Sequence, residues 1–289
     1  MRGGQWQVLY LLQGLAQCGV ECRLLAPQAS PLYSAAKAAG LDTGPLSVRR
    51  VVRDAHRFDL VHAHDAHAHT LGLLAGRPLI VSRRVAFPVK RTPWSWLKYR
   101  RPVHFLAVSE YVRNVLIEAR VTATKVSVVY DGVHLPDRVS ALEGPVIALN
   151  SEDPGKGKVI IEQASRLAGI PVHFSQTLQR DLREAALFVY VTELEGLGSA
   201  ALLAMSCGVP VLASRKGGLP EIVEAGVTGL LTPNDPAAIA ERMRLLQDDH
   251  GLAMRLGGNA RAAVERRFTV ARMVEATVGA YERVLNGVL

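Results

Sequence analysis

The chain has 289 residues, of which 49% are hydrophobic and 21% are charged, and its formal net charge is +8. At roughly 150 residues per domain this length predicts two domains, and the apolar fraction excludes an intrinsically disordered chain. No apolar run approaches the ~20 residues of a membrane span, the first residues lack the pattern expected of a signal peptide, and three cysteines are too few for a disulfide framework. We therefore expect a cytoplasmic protein with two domains.

Short apolar runs alternate with helical patterns through the first half of the chain. The pattern predicts strands at 21–26, 60–63, 79–82, 105–108 and 125–130, and helices at 8–17, 30–39 and 110–119. Glycines and prolines then cluster between residues 131 and 145, which indicates a linker.

The alternation restarts after this linker. The pattern predicts strands at 146–149, 171–174, 187–191, 209–214 and 229–232, and helices or helical turns at 158–168, 177–185, 199–206, 219–224, 236–248, 251–268 and 270–289. Such alternation predicts an α/β protein with parallel sheets, in which ligands bind outside the carboxyl ends of the strands. Two doubly wound domains that meet at a cleft are expected.

The positive charge is concentrated in one stretch of the sequence. Between Ala66 and Ser109 there is no aspartate or glutamate, but there are eight cations: Arg77, Arg83, Arg84, Lys90, Arg91, Lys98, Arg100 and Arg101. Four aromatic residues are interleaved with them: Phe87, Trp94, Trp96 and Tyr99. Such a stretch is either a solvated basic face or a surface for anionic membrane or a phosphate-bearing substrate. Nucleic acid is not expected, because no nucleic-acid motif accompanies the cations.

A series of glycine-rich motifs follows the strand predicted at 187–191. The motifs are Glu195-Gly196-Leu197-Gly198-Ser199, Gly208-Val209-Pro210, Gly217-Gly218-Leu219-Pro220-Glu221 and Gly226-Val227-Thr228-Gly229. In the first motif a strand leads through an acid and a turn into a helix. Backbone N–H groups at such a helix start can receive an anionic diphosphate without obstruction by side chains.

The order of these motifs resembles the C-terminal half of group 1 (family 4) retaining glycosyltransferases with the GT-B fold. Further matching motifs are Gly3-Gly4-Gln5, Asp59-Leu60-Val61-His62-Ala63-His64, Val108-Ser109-Glu110, Gly155-Lys156-Gly157 and Arg266-Arg267-Phe268-Thr269. The resemblance implies two Rossmann-like domains facing a cleft, an acceptor-side domain at 1–135 and a nucleotide-sugar domain at 136–268. A helix at 269–289 would return towards the first domain, whose first strand is expected to be missing.

The resemblance implies transfer of a sugar from a nucleotide-sugar to an acceptor with retention of configuration, without a further cofactor or a bound metal. Lys156 would balance the diphosphate charge and Glu195 would bind sugar hydroxyls, although a surface lysine and a helix-start acid would leave the same pattern. Arg84, or Arg83 beside it, stands where the family often has a histidine. Arg84 either joins the catalytic residues by clamping an anionic group or serves as an ion-pair partner.

The resemblance also implies that backbone groups hold the donor, at Gly3, Gly4, Gly196, Leu197, Gly198 and Ser199. The acceptor is expected to be a lipid-linked or cell-envelope glycan in polysaccharide biosynthesis. The basic and aromatic stretch from Arg83 to Arg101 would then dock peripherally on anionic lipid at the inner face of the membrane.

The sequence departs from the family pattern in the expected donor site. Eight residues after Glu195, where the family has a second glutamate for the ribose, stands Leu203, which cannot accept a hydrogen bond. Residues 150–154 lack the arginine that commonly precedes the Lys-Gly loop, and a strand–helix unit is missing between that loop and Glu193. The alternative function is therefore a degenerate, non-catalytic binding protein.

Histidines at positions 62, 64, 67 and 69 allow three interpretations. His62 and His64 lie two apart on a predicted strand and so point to one face. The resemblance places His64 and His67 on the acceptor side of the cleft. The other interpretations are structural histidines and the metal site of a hydrolase, although no acid or cysteine with metal-ligand spacing accompanies the pair.

Overall fold

The computed structural model describes residue 1 and residues 3–90 and 92–287. The chain divides into two compact units, unit 1 (Met1–Gly132 and Val270–Leu289) and unit 2 (Val133–Thr269). Arg91, one of the cations of the basic stretch, lies outside the described residues, as do the last two residues of the helix predicted at 270–289.

Unit 1 is an α/β unit with parallel strands. Its strands are β1 (Leu24–Ala26), β2 (Thr43–Pro45), β3 (Val61–Ala63), β4 (Leu79–Arg83), β5 (His104–Ala107) and β6 (Val126–Val128). Its helices are α1 (Gly3–Gln17), α2 (Pro31–Ala38), α3 (Val48–Ala55), α4 (Ala66–Gly72), α5 (Pro93–Arg100), α6 (Glu110–Glu118) and α13 (Val270–Leu285). Strands β1 and β2 form a parallel pair, and β3 to β6 form a four-stranded parallel sheet in chain order.

The first and last helices of unit 1 pack on each other. Leu11 and Leu15 of α1 form a buried cluster with Met273 and Val274 of α13. Gly14 lies at this contact, where a Cβ would collide with the Val274 side chain. Because burial of such apolar surface is the main favourable contribution to packing, helix α13 is an integral part of unit 1.

Unit 2 consists of a five-stranded parallel sheet and its connecting helices. Its strands are β7 (Val146–Leu149), β8 (Val172–Ser175), β9 (Leu187–Tyr190), β10 (Val211–Ser214) and β11 (Leu230–Thr232). Its helices are α7 (Lys158–Ala168), α8 (Leu178–Asp181), α9 (Ser199–Ser206), α10 (Leu219–Ile222), α11 (Pro236–Asp248) and α12 (His250–Arg267). Strands β9 and β10 are buried at every position, as expected for parallel strands covered on both faces.

The strand order of unit 2 is β11-β10-β9-β7-β8, with every neighbour parallel. From β7 the chain crosses first to β8 on one side and then back to β9 on the other side. Doubly wound sheets bind their ligands at this reversal, outside the carboxyl ends of the two central strands. The fold therefore directs attention to the residues that follow β7 and β9.

The structure differs from the sequence-based expectation in two respects. The sequence missed β2, α3, α4 and α5, which are short; the helices among them begin at side-chain caps, such as Asp65 for α4 and Thr92 for α5. The boundary between the units falls within the expected linker, at Gly132, and the linker residues after Gly132 pack in unit 2. There the Ser140 hydroxyl donates to the Ala185 carbonyl oxygen at 2.7 Å, and Leu142 is buried.

Candidate donor site and its relatives

The carboxyl ends of β7 and β9 bring Lys156 and Glu195 together. Lys156 ends a single 3-10 turn, Pro154–Lys156, that leads from β7 into α7, and Glu195 lies in the turn between β9 and α9. The Lys156 Nζ lies 2.7 Å from the Glu195 Oε2, and both side chains are mostly buried. The pairing of β7 with β9 thus places both predicted residues at the reversal of the sheet.

A tyrosine completes this cluster. The Tyr190 Oη at the end of β9 donates to the Glu195 Oε2 at 2.5 Å, and the Lys156 Nζ lies 3.4 Å from the same Oη. Desolvation, followed by the Glu195 charge, raises the pKa of Tyr190 well above its usual value, so the phenol stays a donor. Tyr190 was not among the predicted site residues, because a residue in the apolar run of β9 gives no signal that its hydroxyl reaches beyond the strand end.

Glycines allow the backbone turns of the site to pack closely. Gly157, after Lys156, has φ +64°, and Gly198, before α9, has φ +110°. Gly217 also has a positive φ, and a Cβ there would collide with the backbone oxygen of Glu195. The Gly218 N–H donates to that same oxygen at 3.1 Å. The glycines of the sequence motif are therefore required by backbone conformation and close approach.

Helix α9 begins beside Glu195 without a side-chain cap. Its N-cap is Gly198, and the first turn, from Ser199, carries no acidic side chain. The first N–H groups of such a helix have no partner within the helix and attract anions. The Leu197 side chain is buried, so a donor contact from this residue would come from its backbone. Leu203 lies half-buried one turn further along α9. Its side chain has no atom that could accept a hydrogen bond from a ribose hydroxyl.

Unit 1 holds Arg84 in a chain of polar contacts. The Arg84 Nε lies 3.0 Å from the Asp131 Oδ1, and the Nη1 lies 3.1 Å from the His64 Nδ1. The Gln7 side chain bonds both the N–H and the carbonyl oxygen of Gly132, the residue after Asp131, at 3.0 and 2.9 Å. The structure therefore pairs Arg84 with Asp131, while a contact of Arg84 with an anionic group of a substrate stays a prediction.

His62 and His64 are neutral members of this network. Desolvation, reinforced by the Arg84 charge, lowers the pKa of His62 to about 3. Desolvation, with His62 and Arg84, also lowers the pKa of His64 well below its usual value. Because Arg84 donates to the Nδ1 of neutral His64, the proton of that ring lies on Nε2. The Nε2 is therefore the donor nitrogen of the His64 ring.

The contacts of His62 do not fit a metal site. Its Nδ1 lies 2.6 Å from the Tyr281 Oη of α13, and its Nε2 lies 2.8 Å from the Ser82 Oγ. Both ring nitrogens are therefore engaged with protein hydroxyls. Within residues 3–90 and 92–287, no three His, Cys, Asp or Glu side chains are grouped as metal ligands. The hydrolase interpretation of His62 and His64 has no support in this geometry.

The remaining predicted residues of unit 1 lie at two helix starts. Gly3 and Gly4 are the first two residues of α1, so they form a helix start rather than a free loop. A Cβ on Gly4 would lie 4.0 Å from the Arg84 Cδ, which places this start beside the Arg84 network. His67 lies exposed in the first turn of α4, where its N–H is bound by the Asp65 carboxylate at 2.8 Å.

The basic stretch divides into anchored and exposed cations. The Arg83 Nη1 donates to the Tyr99 Oη at 2.8 Å, and the Lys98 Nζ donates to the Ala66 carbonyl oxygen at 2.7 Å, so these two residues hold α5 in place. The exposed side is built from Phe87, Lys90, Trp94, Trp96, Leu97, Arg100 and Arg101. We call this set the α5 surface. No described helix has the combination of length and low charge that crossing a membrane requires.

Two family models match the chain. Residues 1–136 match the model described as Glycosyltransferase Family 4, and residues 158–263 match the model described as Glycosyl transferases group 1. Together they span more than four fifths of the sequence. The chain belongs to the group 1, family 4 glycosyltransferases. The family predicted from the motifs is thus confirmed.

Curated relatives match over part of their length. The D-inositol 3-phosphate glycosyltransferase of Streptomyces bingchenggensis is 37% identical over 106 residues, which cover 36% of this chain and 23% of that protein. The alpha-maltose-1-phosphate synthase of Mycobacterium tuberculosis is 35% identical over 114 residues, which cover 37% of this chain and 30% of that protein. The chain spans less than a third of the length of these curated relatives.

Solved structures match nearly the whole chain. HepE of Anabaena, in complex with UDP and glucose, has a TM-score of 0.80 at 19% identity, covering 97% of this chain and 96% of that one. Sucrose-phosphate synthase of Thermosynechococcus elongatus has a TM-score of 0.77 at 17% identity, covering 99% and 94%. The fold is the GT-B fold, as the sequence predicts.

Proposed function

We propose that the protein transfers a sugar from a nucleotide-sugar to an acceptor with retention of configuration, and that the Lys156–Glu195 cluster of unit 2 holds the donor. The contact between the Lys156 Nζ and the Glu195 Oε2, at the reversal of the sheet, carries the proposal. Membership of the family supports it. A UDP-sugar is one candidate donor, since the structure of HepE holds UDP and glucose.

Lys156 is suited to stabilise a departing diphosphate. An ammonium has three N–H donors. Two are directed to the Glu195 and Tyr190 oxygens, which leaves one for a phosphate oxygen. The positive end of α9 adds to the potential, and such fixed charges stabilise negative charge that develops as the donor bond breaks. Glu195 accepts hydrogen bonds from sugar hydroxyls, and Gly3, Gly4 and Arg84 of unit 1 remain predicted contacts.

The test follows release of the nucleoside diphosphate, which needs no knowledge of the acceptor because water can replace it. Purified protein is incubated with UDP-glucose, GDP-mannose and ADP-glucose. We expect turnover of at least one, and a loss of about 100-fold or more in Lys156→Ala. Lys158→Ala is the matched control, since Lys158 begins α7 two residues after Lys156 and its Nζ binds the Asn150 Oδ1 at 3.2 Å. Equal turnover by Lys156→Ala and the wild type would contradict the proposal.

Retention and independence from metal have their own measurements. The anomeric configuration of the first product, read by NMR before it equilibrates, must match that of the donor. Turnover must also persist in excess EDTA, because Lys156 and the start of α9 supply the positive charge. An inverted product or complete loss in EDTA would reject the corresponding part of the proposal.

Leu203 favours a second candidate, a degenerate family member that binds without turnover. No side-chain oxygen at this position can hold a ribose. The same assay separates the candidates, because a binding protein releases no diphosphate from any of the three donors. Leu203→Glu should raise donor affinity in a functional enzyme, since the carboxylate supplies the missing acceptor on α9.

The proposed acceptor is a lipid-linked or cell-envelope glycan. The enzyme is proposed to be cytoplasmic and to bind this acceptor while attached peripherally to the inner membrane face. The α5 surface supports this part of the proposal. Helix α5 has no buried residue, and Phe87, Trp94 and Trp96 are 64%, 57% and 53% exposed. The Arg100 guanidinium lies 4.3 Å from the centre of the Trp96 ring. Exposed aromatic rings beside cations suit the interface of an anionic bilayer.

Sedimentation with vesicles tests the α5 surface. We expect binding to phosphatidylglycerol vesicles that weakens at high salt, and little binding to phosphatidylcholine. The double variant Trp94→Ser and Trp96→Ser should lose the binding to phosphatidylglycerol vesicles. The control Met254→Ser removes an equally exposed apolar side chain from α12 of unit 2 and should bind these vesicles as the wild type does. Equal binding by the double variant would remove the membrane from the proposal.

A further inference from the structure

Tyr190 is the polar residue of the donor cluster that none of the motifs predicts. It is the last residue of β9 and is almost wholly buried. Its ring stacks on that of Phe188, two residues earlier, with centroids 5.6 Å apart and an interplanar angle of 21°. Because alternate strand residues share a face, the strand itself fixes the direction of the Tyr190 ring.

The hydroxyl of Tyr190 contacts both charged groups of the cluster. It donates to the Glu195 Oε2 at 2.5 Å, and the Lys156 Nζ approaches it to 3.4 Å. The Lys156 Nζ also lies 5.6 Å from the centre of the Tyr190 ring, so the ring borders the ammonium as well. One buried phenol therefore restrains the carboxylate and the ammonium together.

The contacts distinguish the two oxygens of the Glu195 carboxylate. Oε2 receives both the Tyr190 hydroxyl and the Lys156 ammonium. Oε1 receives the Gly196 N–H at the longer distance of 3.2 Å. Each carboxylate oxygen has two lone pairs. The crowded oxygen thus anchors the group, and Oε1 keeps acceptor capacity for a ligand hydroxyl.

We infer that Tyr190 is a positioning residue of the donor site, which holds Glu195 so that Oε1 faces the hydroxyls of the transferred sugar. The inference rests on the proposed function. Without the phenol, the Lys156 ammonium would be the one side-chain group still bonded to Oε2 among the described contacts, and the carboxylate would rotate more freely. The protonated phenol also adds no charge that would repel a diphosphate. Tyr190 itself acts through Glu195 and does not touch the reacting atoms.

A double-mutant cycle separates positioning from a purely structural role. Tyr190→Phe, Glu195→Gln and the double variant are compared by kcat and KM for whichever donor the wild type turns over. We expect Tyr190→Phe to lower kcat about tenfold or more, the scale of one hydrogen bond to a charged group, with KM changed by less than about twofold. In the Glu195→Gln background the same change should have little further effect, because Tyr190 acts through the carboxylate.

Ser165→Ala is the matched control for loss of a hydroxyl. The Ser165 Oγ donates to the Ile170 carbonyl oxygen at 2.6 Å after α7, and no part of the donor cluster depends on it. Urea denaturation of both variants measures the structural cost, and Ser165→Ala should keep the wild-type kcat. A wild-type kcat in Tyr190→Phe would overturn the inference while the proposed function stands. So would a double variant in which the fold-loss of kcat equals the product of the losses in the two single variants. An inactive wild type would reject both.

Discussion

Unit 1 buries a chain of side-chain hydrogen bonds, whereas unit 2 carries its charged cluster on glycine turns at the edge of its sheet. In unit 1, Arg84 is tied to Asp131 and His64 by side-chain contacts. In unit 2, Lys156 and Glu195 meet because β7 and β9 end side by side and glycines let the following turns pack. The first arrangement depends on complementary side chains, and the second depends on backbone conformation.

This difference determines which substitutions each unit tolerates. Removing one member of a buried ion pair leaves the other charge without its opposite charge, so unit 1 is sensitive to side-chain changes. Adding even a methyl group where two backbone segments touch forces the turns apart, so unit 2 is sensitive at its glycines. Single substitutions in each unit separate these two kinds of sensitivity.

The largest effect is expected from Gly217→Ala in unit 2. A Cβ at this position would collide with the backbone oxygen of Glu195, and the positive φ adds strain. We expect the free energy of unfolding, measured in urea, to be at least about 4 kcal/mol lower than that of the wild type. Gly226→Ala is the control, since Gly226 also has a positive φ but a Cβ there would meet open space. This variant should lower the free energy of unfolding by about 1 kcal/mol. Equal losses would show that close packing of the turns is unimportant.

Arg84→Ala should destabilise unit 1 by about 3 kcal/mol, because it leaves the Asp131 carboxylate buried without its guanidinium partner. Tryptophan fluorescence reports this unit alone, since Trp6, Trp94 and Trp96 all belong to it. Adding Asp131→Asn to Arg84→Ala should recover part of the stability that the single variant loses. A double variant as unstable as the single one would contradict the account of the ion pair.

The overall architecture of unit 2 follows from its sequence, while the details of its site do not. Buried parallel strands are continuous apolar runs, so β7 was predicted at its observed bounds, and the glycine motifs located Glu195. The contact of Tyr190 with Glu195 was missed, because it depends on how far a phenol reaches beyond the strand end. The partner of Arg84 was missed because Asp131 lies 47 residues away in the chain.

Unit 1 should also lose stability on mild acidification, because its buried histidines resist protonation. Desolvation, with smaller effects of nearby cations, lowers the pKa of His69 and His104 to about 4, from 6.5. The unfolded chain therefore binds protons below pH 6.5 that the folded unit does not bind, so stability falls as the pH falls from 6.5 towards 4. His104→Leu should reduce this fall by about 1 kcal/mol between pH 6.5 and 5.5. If the stability of His104→Leu and of the wild type changed with pH in parallel, His104 would not be a source of this pH dependence.

The smallest effect is expected for a charge pair in solvent. The Arg272 Nη1 and the Glu275 Oε2 lie 3.0 Å apart on α13, but both side chains are more than half exposed. Glu275→Gln should change the free energy of unfolding by less than about 0.5 kcal/mol. A loss comparable to that of Arg84→Ala would show that burial does not explain the sensitivity of unit 1.

We propose that Lys156 and Glu195 form the site for the diphosphate of the donor. Isothermal titration with UDP, GDP and ADP tests it most directly, on the wild type, Lys156→Ala and Lys158→Ala. We expect measurable heat with at least one nucleotide, affinity reduced about tenfold or more in Lys156→Ala, and affinity within twofold of the wild type in Lys158→Ala. Undiminished binding by Lys156→Ala, or no heat with any of the three nucleotides, would contradict it.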